Sequence, residues 1–404
     1  MNTRVPMESQ GSVVEVLRTF LLLGLTSFGG PVAHIAYFRR AFVERRRWID
    51  EARFAQLLTM AHFLPGPASS QLGFALGLHR AGWGGALAAS LAFTLPSVLL
   101  LLGFAWLLPS LPAGLAHGLV QGLKLVAVAV VADAILGMSA KLCPDTTRRG
   151  IALLGASILL LFGNPWVQLL VVLGGALAGM ALLRVDVPAG GLSVRAGFGP
   201  RVGVVVLMVF LALLLGLPLL AGAGNELVTL AERFYRAGAL VFGGGHVVLP
   251  LLEQSMVGPG GVSAEQFLAG YGASQAIPGP MFAFSAYLGL LSGTGGGPAG
   301  AAVALLFMFL PGMLLMSAAL PLWAGIAGRP RAANAIAGTG AAVVGLLGVA
   351  LYDPVFTSGI HDGTGLAIAL IGFGMLRVWR LPVLWVVAWC VLASLARVWV
   401  FGDL

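Results

Sequence analysis

The sequence predicts an all-α polytopic membrane protein: two homologous helical units in inverted topology, joined by an extra transmembrane helix and each carrying broken or re-entrant half-helices. Three observations carry this. Of 404 residues, 59% are hydrophobic and 9% charged, against roughly 25% charged in a soluble domain. Uncharged apolar runs at 202–223, 299–328 and 332–352 approach or exceed the ~20 residues that cross ~30 Å of hydrocarbon. One ordered series of landmarks also occurs twice.

That series begins with Ser27-Phe28-Gly29-Gly30-Pro31 and reaches Pro65-Gly66-Pro67; it recurs as Val241-Phe242-Gly243-Gly244-Gly245-His246 followed by Pro278-Gly279-Pro280. Phe20 with Phe234, Gly24 with Gly238, Phe54 with Phe267, and Leu95-Pro96 with Leu310-Pro311 keep the same offset, between 212 and 215 residues. A single FGG or PGP is weak; the ordered set twice over is a duplication.

In chain order, residues 1–12 are a polar tail. The first unit, 13–184, opens with an apolar segment interrupted at Gly29-Gly30-Pro31. Glycine loosens the backbone and proline removes a donor, so two half-helices are expected rather than one continuous helix. Residues 13–28 have the length of a signal-peptide core, yet Glu15 and Arg18 lie within it and no A-x-A site follows, so the segment reads as retained. A basic amphipathic connection, 39–53, leads to two stretches, 50–63 and 67–79, that meet at the PGP corner and are too short to span. Irregular backbone of this kind is tolerated at membrane depth only where protein or a water-filled cavity satisfies it. Segments near 83–108, 116–139, 149–163 and 165–184 complete the unit. Residues 185–224 are a linker plus the connecting helix near 201–222. The second unit, 225–404, repeats the plan with a broken segment 227–257, a PGP hairpin 263–292, and spans near 299–326, 332–352, 364–378 and 381–401.

Charge sets orientation. Arg39, Arg40, Arg45, Arg46, Arg47 and Arg53 follow the first FGG, whereas the equivalent 246–270 has Glu253 and Glu265 and no Lys or Arg. By the positive-inside rule the first loop is cytoplasmic and the second external. Five spans separate equivalent points, which turns the second unit upside down, the recurrent plan of secondary transporters. The reading puts the N-terminus in the cytoplasm and the C-terminus in the periplasm. The formal net charge of +8 resides in loop arginines that act as topology signals, so nucleic acid is not an expected partner. Trp83, Trp106, Trp166, Trp379 and Trp385 sit near segment ends as interfacial belts do. Cys143 and Cys390 have no metal or disulfide spacing.

Candidate site residues follow from the breaks. A helix that begins inside a membrane presents unpaired N–H groups and a positive dipole end, which suits an anion. Phe28, Gly29, Gly30, Pro65, Gly66, Pro67, Phe242, Gly243, Gly244, Gly245, Pro278, Gly279 and Pro280 make these corners, and Ser69, Ser70 and Gln71 follow the first as oxyanion donors. The opposing reading is that the glycines only let helices approach closely. Lys124, within "LVQGLKLVAVAVV", is an ionisable group in a span and therefore a candidate; it either binds anion and exchanges a proton, or pairs structurally with another helix. Asp133 falls about 180° around the same helix from it, at ~3.6 residues per turn. His62 and Gln275 each precede a PGP by three residues and are expected to line one cavity, with His62 a second proton-coupling candidate. His34 and His246 complete the polar set. No P-loop, GxSxG or HExxH occurs, so neither an enzyme nor a cofactor is implied, and an ion gradient is the energy source left.

The stretches "SFGGPVAHIAYFRRAFVERRRWIDEARFAQLL", "FLPGPASSQLGFALG" and "VFGGGHVVLPLLEQ…IPGP" resemble the chromate ion transporter (CHR) family in its long two-domain form, over about residues 13–400. The resemblance implies a bacterial inner-membrane protein that exports chromate by proton-motive force, conferring chromate resistance as an antiporter, with sulfate as the structural mimic. The family usually has glutamine where this chain has His62, while Gln275 keeps the amide. Competing expectations are a sulfate or other oxyanion carrier, an anion channel, and an intramembrane enzyme; the partners are the anion, protons, the bilayer and, left open, a second copy of the chain.

Overall fold

The computed structural model describes residues 11–162, 165–185, 198–222, 224–241, 248–293, 295–326 and 329–401. The named elements in these residues are all helical, with one isolated bridge between Val257 and Val262, in keeping with the fold class the sequence predicts. Six helices among them are long and apolar enough to cross a membrane. Leucines on the connecting helix α8 (Pro200–Ala221) show why the bundle belongs in lipid: Leu215 is 69% and Leu219 81% exposed, and so continuous an apolar surface is not left facing water.

The first repeat comprises α1 (Val13–Thr26), α2 (Gly30–Phe38), α3 (Glu51–Phe63), α4 (Ala68–Leu107), α5 (Ala113–Leu142), α6 (Thr146–Phe162) and α7 (Pro165–Leu182). After α8 come α9 (Glu226–Leu240), α10 (Val248–Met256), α11 (Ala264–Ala276), α12 (Phe284–Leu291), α13 (Gly297–Ile326), α14 (Pro330–Ala350), the short α15 (Thr357–Gly359), α16 (Gly363–Arg377) and α17 (Val383–Phe401). The expected break after α1 is present: Gly29 has φ +100° and caps α2, a left-handed conformation that glycine adopts without penalty. The basic connection winds as a wider π-helical turn over Arg39–Arg45, with Arg39 paired to both Glu44 and Glu51. Equivalent helices start on equivalent caps. Asp50 accepts from the Arg53 N–H ahead of α3, and Ser263 forms a reciprocal capping box with Gln266 ahead of α11; such caps satisfy backbone donors that the first turn leaves free.

Within α4 the backbone departs from helix at Ala81 and Gly82, and the two arms fold back so closely that a Cβ on Gly77 would lie 2.4 Å from the Gly85 carbonyl. Its counterpart is the α12–α13 pair, in which Gly289 would meet the Gly300 carbonyl at the same 2.4 Å. The membrane offers little hydrophobic gain for helix association, and backbone-to-backbone approach at small residues supplies packing instead. In the same way α1 lies on α4 and α9 on α13, with Gly24 against the Phe93 carbonyl and Gly238 against that of Met308.

The outer helices are exchanged. Helix α5 of the first repeat packs against α16 and α17 of the second, and α14 of the second packs against α6 and α7 of the first. Glycines again set the spacing: Gly122 touches the α17 backbone at Cys390–Val391, and Gly338 touches α7 at Gly175 and Gly179. Asn334 adds a polar tie, its Oδ1 accepting from the Val185 N–H at 2.9 Å.

Candidate functional site

The two PGP corners are held by each other's repeat. The Gly66 N–H donates to the Val241 carbonyl at 2.7 Å, and the Gly279 N–H donates to the Ser27 carbonyl at 2.8 Å. Ser27 and Val241 each immediately precede the phenylalanine of an FGG motif, so the pair of bonds is reciprocal: each corner is pinned to the residue ahead of the opposite unit's FGG. Proline supplies rigidity on either side of each glycine and withdraws two donors, which leaves the glycine N–H as the group that must find an acceptor when buried. Both glycines need their achirality, Gly66 at φ +123° and Gly279 at φ +96°.

Side chains brace the same points crosswise. Gln71 Nε2 donates to the Pro65 carbonyl at 2.8 Å and to the Gly312 carbonyl of the second repeat at 3.2 Å. Ser97 Oγ donates to the Pro278 carbonyl at 2.7 Å, and Ser97 stands at the position equivalent to Gly312.

A cavity of about 550 Å³ converges on these corners. Its walls include Gly29, Gly30 and Pro31 at the first break, His62 and Gly66 at the first corner, and Ser274, Gln275 and Gly279 at the second. The remaining wall is one face of α5, with Val130, Asp133, Ala134, Gly137, Met138 and Lys141. These recur at three- and four-residue intervals, the period of one helix face. Since liquid water takes ≈30 Å³ per molecule, the space holds a small anion with several waters. Asp133 is paired across the repeats to Arg377 at the end of α16, 3.7 Å away, while Leu376 beside that arginine lines the cavity.

The structure thus brings together His62 and Gln275, as their matched positions led one to expect, with Gly29, Gly30, Gly66 and Gly279. Pro65, Pro67, Pro278 and Pro280 frame the corners without contributing to the cavity wall, and Phe28 lies beside Gly29 off the wall. Ser69, Ser70 and Gln71 are buried in the first turns of α4. Ser69 lies 3.5 Å from His34 Nδ1, Gln71 is committed to the brace, and Ser70 Oγ is buried with no hydrogen-bond partner. Phe242, Gly243, Gly244, Gly245 and His246 lie outside the described residues. Lys124 is on the face of α5 turned from the cavity; it is buried and reaches Glu265 of α11 at 3.5 Å. Sequence reasoning did not bring Asp133 and Lys141 into the site. Their spacing with Gly137, four residues apart each way, was the available signal.

A multi-pass helical bundle, built from a duplicated unit whose two PGP corners converge on one cavity, defines a membrane transport protein. The chain belongs to the chromate transporter family: the family model described as "Chromate transporter" matches residues 14–180 and again 228–395. Among curated proteins it is 29% identical to the "Chromate transport protein" of Pseudomonas aeruginosa, over 91% of this chain and 88% of that one. It is likewise 29% identical to the "Probable chromate transport protein" of Synechococcus elongatus, over 92% of this chain and 91% of the relative. An uncharacterized transporter of Methanocaldococcus jannaschii is 26% identical over 80% of each chain. No solved structure matches the chain.

Proposed function

We propose that this protein is a secondary transporter that carries chromate out of the cytoplasm of a bacterium across the inner membrane, using the proton-motive force. The observation that carries this reading is the convergence of both reciprocally pinned PGP corners on one cavity. Tetrahedral oxyanions need several donors from different directions, and helix ends there each offer about half a positive charge without the desolvation cost of a full one. Chromate as the substrate comes from the family and from the names of two relatives.

The cavity reaches Lys141 and Leu142 at the end of α5, close in sequence to Arg148 and Arg149, which the positive-inside rule assigns to the cytoplasmic side. On this reading the cavity belongs to an inward-facing state, and the second repeat runs opposite to the first. A reporter joined after Arg53 is expected in the cytoplasm and one near Val262 outside; both on one side would remove the inverted arrangement. The transport reading is tested in proteoliposomes: chromate should move uphill when a proton gradient is imposed. Flux that only follows the chromate gradient and potential would make the protein a channel, and sulfate moved in preference to chromate would make it a sulfate carrier.

A further inference from the structure

A second, smaller cavity of about 40 Å³ lies between α7 of the first repeat and α9 and α10 of the second. Its polar lining is Gln168, Arg233, Arg236, Gln254 and Ser255. Two guanidinium groups and two amides face one space, and no carboxylate lines it among the described residues. Gln168 is buried at 6% exposure. Arg233 Nη2 donates to the Pro259 carbonyl at 3.0 Å, yet its Nη1 is buried with no hydrogen-bond partner. A buried, charged donor left unpaired costs more than a neutral one, so this nitrogen marks a place for an acceptor. Arg236 is steadied by Glu232, whose Oε1 accepts from Nε at 3.0 Å. Besides Glu232, two further carboxylates of the region, Glu253 and Asp353, line a neighbouring cavity of about 70 Å³, with Gln168 and Gln254 lining both.

The repeat shows that these arginines are not needed to build the helix. With the offset of 214 residues that relates Phe20 to Phe234, the positions of Arg233 and Arg236 fall on Thr19 and Leu22. The first repeat makes the same α1–α4 packing without them. At ~10–15 Å³ of such space per water-sized sphere, the cavity admits a compact group of about three oxygens, the face that a tetrahedral oxyanion presents. Planar guanidinium forks match such oxygens in pairs.

We propose that Arg233 and Arg236, with Gln168 and Gln254, form a second oxyanion subsite on the release side of the pathway. The side assignment rests on the transport reading; the binding itself does not. The anion leaves the central cavity for this subsite, where full positive charge meets it before water does.

Equilibrium dialysis of the purified full-length protein with radiolabelled sulfate, a redox-inert probe, tests the subsite without transport. Wild type is expected to bind two sulfates, with Arg233→Gln and Arg236→Gln each weakening one of them at least tenfold and Gly66→Val removing the other. Arg233→Lys should recover part of the loss, since it restores charge without the fork. A single sulfate in wild type, or two bound with unchanged affinity in both arginine variants, would overturn the subsite. If two sulfates bind as described but proteoliposomes move no chromate, the subsite stands and the transport reading falls.

Discussion

The two corner helices, α3 and α11, are equivalent in sequence and differ in where they lean. Helix α11 lies tight against α5: a Cβ on Gly272 would come 2.2 Å from the Leu123 carbonyl, and Glu265 near its start meets Lys124. The exchange of roles between repeats would set α3 just as tightly against α14. Instead α3 packs on α4, and Ala61, His62 and Leu64 face open space across from α5. One sequence plan therefore occurs in two arrangements within one molecule, closed beside α11 and open beside α3. On the inverted-repeat reading proposed above, exchanging those two arrangements would turn an inward-facing carrier outward, about corners joined by their reciprocal hydrogen bonds.

The largest expected effect comes from making the corners unlike glycine. At Gly279 a Cβ would stand 2.2 Å from Ser97 Oγ, and at Gly66 it would stand 2.8 Å from Gln71 Nε2 and 3.0 Å from Gly312 Cα. A branched residue also holds a positive φ at a cost of about 1–3 kcal/mol. Gly279→Val and Gly66→Val are expected to abolish chromate export in vesicles while membrane levels, read by immunoblot, stay near wild type. Export preserved in either would mean that the corner only packs.

A smaller effect is expected where α11 meets α5. Lys124→Gln should weaken chromate uptake into everted vesicles several-fold, and this is so whether the lysine contacts the anion or holds α11 closed. The charge reversal Lys124→Glu with Glu265→Lys separates the two. Recovery of activity in the double variant identifies a latch between helices. No recovery, with Glu265→Gln alone nearly silent, identifies a direct role with the anion. The pair is lopsided, with Lys124 3% and Glu265 71% exposed, so the lysine is the costlier charge to leave without a partner.

The smallest effect is expected from making the corners alike. His62→Gln gives the first corner the amide that Gln275 provides in the second. Chromate transport should persist within about threefold, with a flatter dependence on pH, since an amide does not titrate where a histidine can. An unchanged pH profile would remove His62 from proton coupling.

Much of this was legible in the residues. Glycine and proline at Gly29-Gly30-Pro31 and Pro65-Gly66-Pro67 announce breaks because of what they do to φ and to donors, and Asp50 and Ser263 announce helix starts. Matched positions placed His62 and Gln275 in one cavity. What the sequence could not tell is which repeat each helix would pack on. Gly122 and Gly338 show that a close backbone approach is intended, but a glycine does not name its partner. The cavity face of α5 was hidden for the same reason. Val130, Asp133, Gly137 and Lys141 share a face, and Lys124 lies on the opposite one; tertiary packing decides which face meets water and which meets α11.

The exchange of outer helices has a consequence for how the chain is made. Helices α6 and α7 leave the ribosome well before α14, the helix against which Gly175 and Gly179 settle. Through that interval their small-residue faces meet lipid or a chaperone, and Asn334 is not yet available to Val185. Likewise α5 waits for α17, the last helix among the described residues. Neither repeat can complete its packing alone during synthesis, so the bundle closes only after α14 and α17 have emerged.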